Sequence, residues 1–244
     1  MNRILVAGAA LLAFAGTALA QGPAAAPVFT WNGPYVGAFG GYGFGYAGAT
    51  NDADAGAGNG FDDGLLDLTL GLAPRGAFGG VTLGFNSQSG AFVVGGEING
   101  GYLALADAFS LFVADGPNGI LDDDEGAVSY GWYATFAARV GLAFNRTLLF
   151  ATAGGIITEY AGAYGDLNDG VTDPTDATTL FGPQYGYIVG AGAEFAFDSG
   201  WTARLEYSFF DLGTDTTTNL DDDVFIHRNN AHLVRFGLNF LFTP

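Results

Sequence analysis

From Val128 to Phe144 the chain alternates between two kinds of residue without a break. Val128, Tyr130, Trp132, Ala134, Phe136, Ala138, Val140, Leu142 and Phe144 form one series, and Ser129, Gly131, Tyr133, Thr135, Ala137, Arg139, Gly141 and Ala143 the other. A period of two marks a β-strand with unlike faces, because successive side chains of an extended backbone point to opposite sides. The pattern returns in Trp201, Ala203, Leu205, Tyr207 and Phe209 against Thr202, Arg204, Glu206 and Ser208. It returns again in Val234, Phe236, Leu238, Phe240 and Phe242 against Arg235, Gly237 and Asn239. Such segments predict about eight strands, near residues 34–47, 76–86, 91–104, 127–144, 147–161, 184–197, 201–211 and 230–242.

The connections between these segments alternate as well. Tight turns are expected at Ser87 to Gly90, Asn145-Arg146 and Asp198 to Gly200. The other connections fall in four acidic stretches, between residues 50 and 74, 106 and 126, 159 and 176, and 211 and 223, which hold 21 of the 25 acidic residues and so read as loops. Short turns at one rim and long loops at the other are the organisation of a transmembrane barrel. The polar strand faces agree, being mostly Gly, Ser, Thr and Ala with isolated charges, which suits a narrow filled lumen better than a water-facing wall.

With strands running alternately up and down, Tyr102, Tyr130, Trp132, Tyr185 and Tyr187 fall near the long-loop rim. Trp31, Tyr35, Trp201, Phe240 and Phe242 fall near the short-turn rim, with Val94, Val140, Val189, Ala191 and Leu238 between. Two aromatic girdles around an aliphatic band are what the two bilayer interfaces select. The predicted fold is therefore all-β: an eight-stranded antiparallel up-and-down transmembrane β-barrel with long acidic outer loops and short periplasmic turns.

The N-terminus supplies a route to such a membrane. Arg3, an apolar run from Ile4 to Leu12 and the small-x-small sequence Ala18-Leu19-Ala20 make a secretory signal peptide over residues 1–20. A short tail over 21–30 and a barrel over 31–244 are expected to follow, with cleavage leaving Gln21 first. The chain has no lysine and no cysteine; without Arg3, six arginines face 25 acids, a net charge of −19. Nucleic acid is excluded as a partner, and anionic lipid surfaces are disfavoured, since both repel such a charge. A thiolate nucleophile, a disulfide framework and a cysteine zinc site are excluded too.

Several short motifs, in order, carry a family likeness. They are Trp31-x-Gly33-x-Tyr35-Val36-Gly37, Gly95-Gly96-Glu97, Gly192-x-Glu194, Arg204-x-Glu206-Tyr207, and the closing Val234-Arg235-Phe236-Gly237-Leu238-Asn239-Phe240-x-Phe242. Together the sequence resembles the small outer-membrane β-barrels of Gram-negative bacteria, the OmpA-like membrane domains and porin-like surface antigens. The resemblance implies residence in the outer membrane, contact with its lipid and lipopolysaccharide, insertion by the barrel-assembly machinery, and a monomer. It also implies that the peptidoglycan-binding domain of larger relatives is missing. Family members usually end at the terminal aromatic, whereas here Thr243 and Pro244 follow.

Charges on the polar faces are the candidate site. Glu97, Arg139, Glu194, Arg204, Glu206 and Arg235 balance three against three. Each arginine facing lipid at the midplane would cost about 2 to 4 kcal/mol, so all six are expected to point inward. A turn centred on Ser199 opposes Glu194 to Arg204, and Glu97 with Arg139 and Glu206 with Arg235 are expected to join the same network. His227 and His232 cannot make a multi-histidine metal site and are expected to be solvated or interfacial, so no catalytic residues are assigned. No cofactor is expected beyond weak divalent-ion binding at Asp122, Asp123, Asp124, Asp221, Asp222 and Asp223. The expected function is a structural surface protein of the outer membrane without a wide pore; the alternative is a narrow porin-like channel, and third a barrel hydrolase.

Overall fold

A computed structural model describes residues 29–52, 69–112, 122–168, 171–172, 178–218 and 224–242. The predicted signal peptide, residues 21–28 of the tail, Asp221 to Asp223 and much of the acidic loops lie outside the described residues. The described chain is almost all strand: β1 (Gly33–Asp52), β2 (Thr69–Leu72), β3 (Arg75–Ser89), β4 (Phe92–Leu103), β5 (Ala106–Phe112), β6 (Asp122–Phe144), β7 (Thr147–Asn168), β8 (Val171–Thr172), β9 (Thr178–Ala196), β10 (Trp201–Thr218) and β11 (Val224–Leu241). A single 3₁₀ turn, Asp198–Gly200, joins β9 to β10.

Eight of these strands close a ring. The order β1, β3, β4, β6, β7, β9, β10, β11 is antiparallel throughout, and β11 pairs back onto β1 from Tyr35 opposite Leu241 to Asp52 opposite Val224. The short strands β2, β5 and β8 extend the wall above the ring. Following paired residues once around runs from Val36 through Leu83, Ile98, Phe136, Gly155, Tyr187, Asp211 and Asn230, and returns to Tyr46, ten residues further along β1. A stagger of ten over eight strands tilts them by about 40° and sets a radius of about 8 Å, so side chains fill the interior.

The outer face is apolar and banded. Val81, Leu83, Ile98, Phe136, Val140, Leu205, Phe236 and Leu238 are exposed along the middle of the wall. Phe92 and Tyr102, both exposed, lie ten residues apart on β4, which at this tilt spans about 25 Å, the height of an outer-membrane apolar band. Water would not tolerate so continuous an apolar surface, but hydrocarbon requires it.

The turns depart little from expectation. The β3–β4 connection is Gly90-Ala91 rather than Ser87 to Gly90, with Gly90 at φ 61°, where a side chain is disfavoured. Asn145 adopts φ 54° at the β6–β7 turn, and Ser199 adopts φ 71°. The strands run much further toward the loop rim than predicted. Ala106 to Phe112 and Asp122 to Gly126, read as loop, pair as β5 and the start of β6.

Candidate functional site in the barrel interior

The inward residues stack in three layers. At the short-turn end, Phe29 and Trp31 fold beneath the barrel, their rings 5.0 Å apart, and pack with Val93, Ala143, Leu148, Phe150 and Ala196. The Trp31 amide donates to Gln88 Oε1 at 2.7 Å, and the Gln88 amide donates to Asn32 Oδ1, which fixes this entry. At the loop end, Phe78, Leu103, Leu105, Tyr130, Tyr133, Tyr160, Tyr164, Phe210 and Leu233 form a second apolar layer.

The charged layer lies between them. All six charged residues named from the sequence are inside, none more than 8% exposed. Glu97 accepts from Arg204 Nη1 and Nη2 at 2.7 and 3.1 Å, from Arg235 Nη2 at 3.3 Å, and from the Tyr35 hydroxyl at 2.9 Å. Glu206 pairs with Arg204 at 2.5 Å and with Arg235, and accepts from Ser208 Oγ at 3.0 Å. Glu194 pairs with Arg139 and accepts from Thr202 Oγ1 and, at 2.8 Å, from Asn239 Nδ2. Arg139 Nη1 also donates to the Tyr35 hydroxyl at 3.4 Å, so Tyr35 links the two halves. Asn99 accepts from Arg235 at 3.1 Å and from Thr82, and donates to Thr135.

Aromatic rings complete the layer. The Phe150 ring lies 4.0 Å from the Arg139 guanidinium carbon and 4.4 Å from that of Arg204; Phe39 lies 4.8 Å from that of Arg235. A guanidinium over an aromatic face is attracted by the ring quadrupole at little desolvation cost, which suits a site short of water. Tyr35 lies flat over Gly84, where a Cβ would meet its ring at 2.2 Å.

The inferred pairings need correction. Glu194 and Arg204 are opposed in register, but the guanidinium held against Glu194 is that of Arg139. Glu97, expected to pair with Arg139, is bridged by Arg204 and Arg235 instead. In a ring of eight, β4 and β10 stand on opposite walls, and the side chains of Arg and Glu together are long enough to cross a lumen of this radius. Arg204 of β10 thus pairs across the ring with Glu97 of β4, and Arg139 of β6 reaches past β7 to Glu194 of β9, each in place of a partner on an adjacent strand. Glu206 with Arg235 is found as expected.

Three girdle assignments also fail. Tyr102, Trp132, Tyr185, Tyr187, Trp201 and Phe242 are exposed on the outer face, and Phe240 is half-buried with its ring 5.3 Å from that of Trp201. Trp31, Tyr35 and Tyr130 are inside, at 1%, 3% and 3% exposure. Tyr35 shares the inward parity of Phe39 on β1. Tyr130 is turned inward by a β-bulge: Tyr130 opposes Tyr160 and Tyr133 opposes Thr158, so Gly131 and Trp132 face Glu159 alone. The extra residue flips every side chain above it, Val128 included. Sequence reasoning also missed Tyr35, Asn99, Thr202 and Asn239 as network members, although Asn99, Thr202 and Asn239 share strand parity with Glu97, Arg204 and Arg235.

The histidines separate. His227 is buried in the upper lumen with Nε2 2.7 Å from Thr217 Oγ1, not solvated, whereas His232 sits half-buried on the outer wall. Asp122, Asp123 and Asp124 lie on β6, and among the described residues no cluster of His, Cys, Asp and Glu could hold a metal ion.

Known proteins place this barrel. No family model matches the chain. It is 30% identical over 257 residues to the 31 kDa outer-membrane immunogenic protein of Brucella melitensis, covering 99% of the chain and all of the relative. It is 32% identical over 168 residues to the 22 kDa outer membrane protein of Rhizobium leguminosarum bv. viciae, covering 68% of the chain and 66% of that protein. Similar solved structures are the attachment invasion locus protein Ail of Yersinia pestis (14% identity, TM-score 0.31, 84% of this chain and 99% of that one) and Neisserial surface protein A (11%, 0.39, 86% and 97%). The outer membrane protease OmpT of Escherichia coli is a third (9%, 0.45, 88% and 98%). At such scores the fold rests on the barrel's own closed register, and the family rests on the Brucella relative. The chain belongs to the outer-membrane protein family of the Brucella 31 kDa immunogenic protein, and its place is the cell outer membrane.

Proposed function

We propose that this barrel is a structural surface protein: a membrane anchor with a sealed interior that presents long strands and acidic loops outside the cell. The layered lumen carries this reading. A charge-neutral network closed above and below by apolar layers offers no continuous path for water. The cavity beside Glu97, Asn99, Glu206 and Arg235 has about 20 Å³, room for about one water molecule. Aqueous channels through outer-membrane barrels need about 16 to 18 strands, twice the number here.

The same packing argues against a barrel hydrolase. Glu97, Glu194 and Glu206 are each held by a guanidinium, which leaves none placed as a general base within reach of substrate. The test is solute entry into proteoliposomes. Vesicles carrying the folded protein are expected to swell in an isosmotic pentose no faster than protein-free vesicles; swelling that rises with protein content would favour the channel.

A further inference from the structure

The positive charge of this acidic chain is distributed with a bias. Arg139, Arg204 and Arg235 are consumed in the lumen, and Arg146 lies in the short turn at the periplasmic rim. The two remaining arginines of the barrel, Arg75 and Arg228, are both exposed, on the outer face and at the loop rim. They share one wall. Phe44 of β1 is paired on one side with Arg75 of β3 and on the other with His232 of β11, and Arg228 stands four residues above His232 on the same face. Their Cα atoms are separated by two strand spacings and four residues, about 16 Å, within reach of two extended arginines converging on one headgroup.

Height and neighbours point to the same partner. Phe44 and Tyr46 continue the upper aromatic ring, and the stagger of the strands raises Arg75 about 6 Å and Arg228 about 10 Å above His232, so both stand at headgroup depth. The His232 ring is stacked between Phe44 and Tyr207, with centroids 5.2 and 5.9 Å away, and its Nδ1 is 2.6 Å from the Tyr207 hydroxyl. With that hydroxyl donating, the ring proton sits on Nε2, the nitrogen turned away from Tyr207. The amide of Asn230 stands between His232 and Arg228 on the same face. Among the described residues this face of β3, β1 and β11 carries no carboxylate at that height, and Asp211 of neighbouring β10 accepts from its own bulge, the Gly213 amide, at 2.7 Å.

We propose that Arg75 and Arg228, with His232 and Asn230, form a seat for the phosphorylated headgroup of an outer-leaflet glycolipid. The guanidiniums supply forked donors that match phosphate oxygens, the histidine and asparagine supply further N–H donors, and the aromatic stack beneath meets the lipid's acyl region. Repulsion from the acidic loops acts on anionic surfaces in general; this wall is where an anion meets cations at contact distance.

The test titrates the folded barrel in detergent micelles with diphosphoryl lipid A, reading bound lipid by native mass spectrometry. The double variant R75Q/R228Q is expected to bind about tenfold or more weakly, and R146Q about as the unaltered protein does, because Arg146 lies at the opposite rim. Lipid A stripped of its phosphates is expected to bind the unaltered protein no better than diphosphoryl lipid A binds R75Q/R228Q, and inorganic phosphate is expected not to compete. Equal binding by R75Q/R228Q and the unaltered protein, equal loss in R146Q, or displacement by inorganic phosphate overturns the proposal. Should R75Q/R228Q lack the folded gel mobility, R75K/R228K replaces it: lysine keeps the charge but not the fork, so weaker binding supports the seat and unchanged binding overturns it.

Discussion

At the scale of single residues, the charged layer makes the sharpest demand. Glu194 is 3% exposed and Arg139 1%, so removing one leaves the other stranded in a site closed by Phe150 and Tyr35. Breaking a buried pair on one side costs about 3 to 5 kcal/mol, whereas replacing both partners with apolar residues of similar volume is often neutral. Glu194→Ala is therefore expected to lower stability by about that amount in urea titrations of the lipid-inserted protein, and Arg139→Met with Glu194→Leu to recover most of it. Equal loss in the single and double variants would show that the charges are independently solvated. The sequence made this layer legible as a set, because an arginine on a strand of alternating parity has no tolerable place in lipid. It did not reveal who pairs with whom, since that depends on strands that meet only across the closed lumen.

Among the elements, β6 shows best where a local pattern stops being informative. Its parity read straight through from Val128 to Phe144, yet the bulge at Gly131 and Trp132 reverses the upper part, and the Glu159 carboxylate accepts from the Trp132 amide at 3.2 Å. Tyr130 then packs against Tyr160 and Phe210, with ring centroids at 5.2 and 6.0 Å. Deleting Gly131 would restore plain alternation and push Tyr130 and Val128 outward, taking both from the upper layer. The expected result is proteolytic cleavage near the tips of β5 and β6 while the membrane-embedded part stays protected. Resistance equal to that of the unaltered protein would mean the bulge does not hold the upper layer. The strand extensions were illegible for a related reason. Above the bilayer the outward face no longer has to be apolar, so Thr214, Thr216 and Thr218 on β10 carry no contrast with their inward neighbours.

For the whole molecule, eight strands with a stagger of ten leave a lumen that side chains close, and the order of layers decides what the barrel does. Apolar clusters lie at both ends of the charged layer, and the three acids in that layer balance its three arginines. The closed ring also has no edge strand from which to fray, so the folded form is expected to keep a distinct gel mobility until boiled. The ring and its filled lumen were legible because turns and loops alternate so strictly and the polar strand faces are mostly small; the apolar layers at the two ends were not, because Trp31 and Tyr130 were read as girdle and are packed inside. The most direct test of a sealed barrel is single-channel recording in planar bilayers. Purified, folded protein is expected to insert without steady unitary current in molar potassium chloride. Reproducible unitary steps that scale with salt concentration would contradict it.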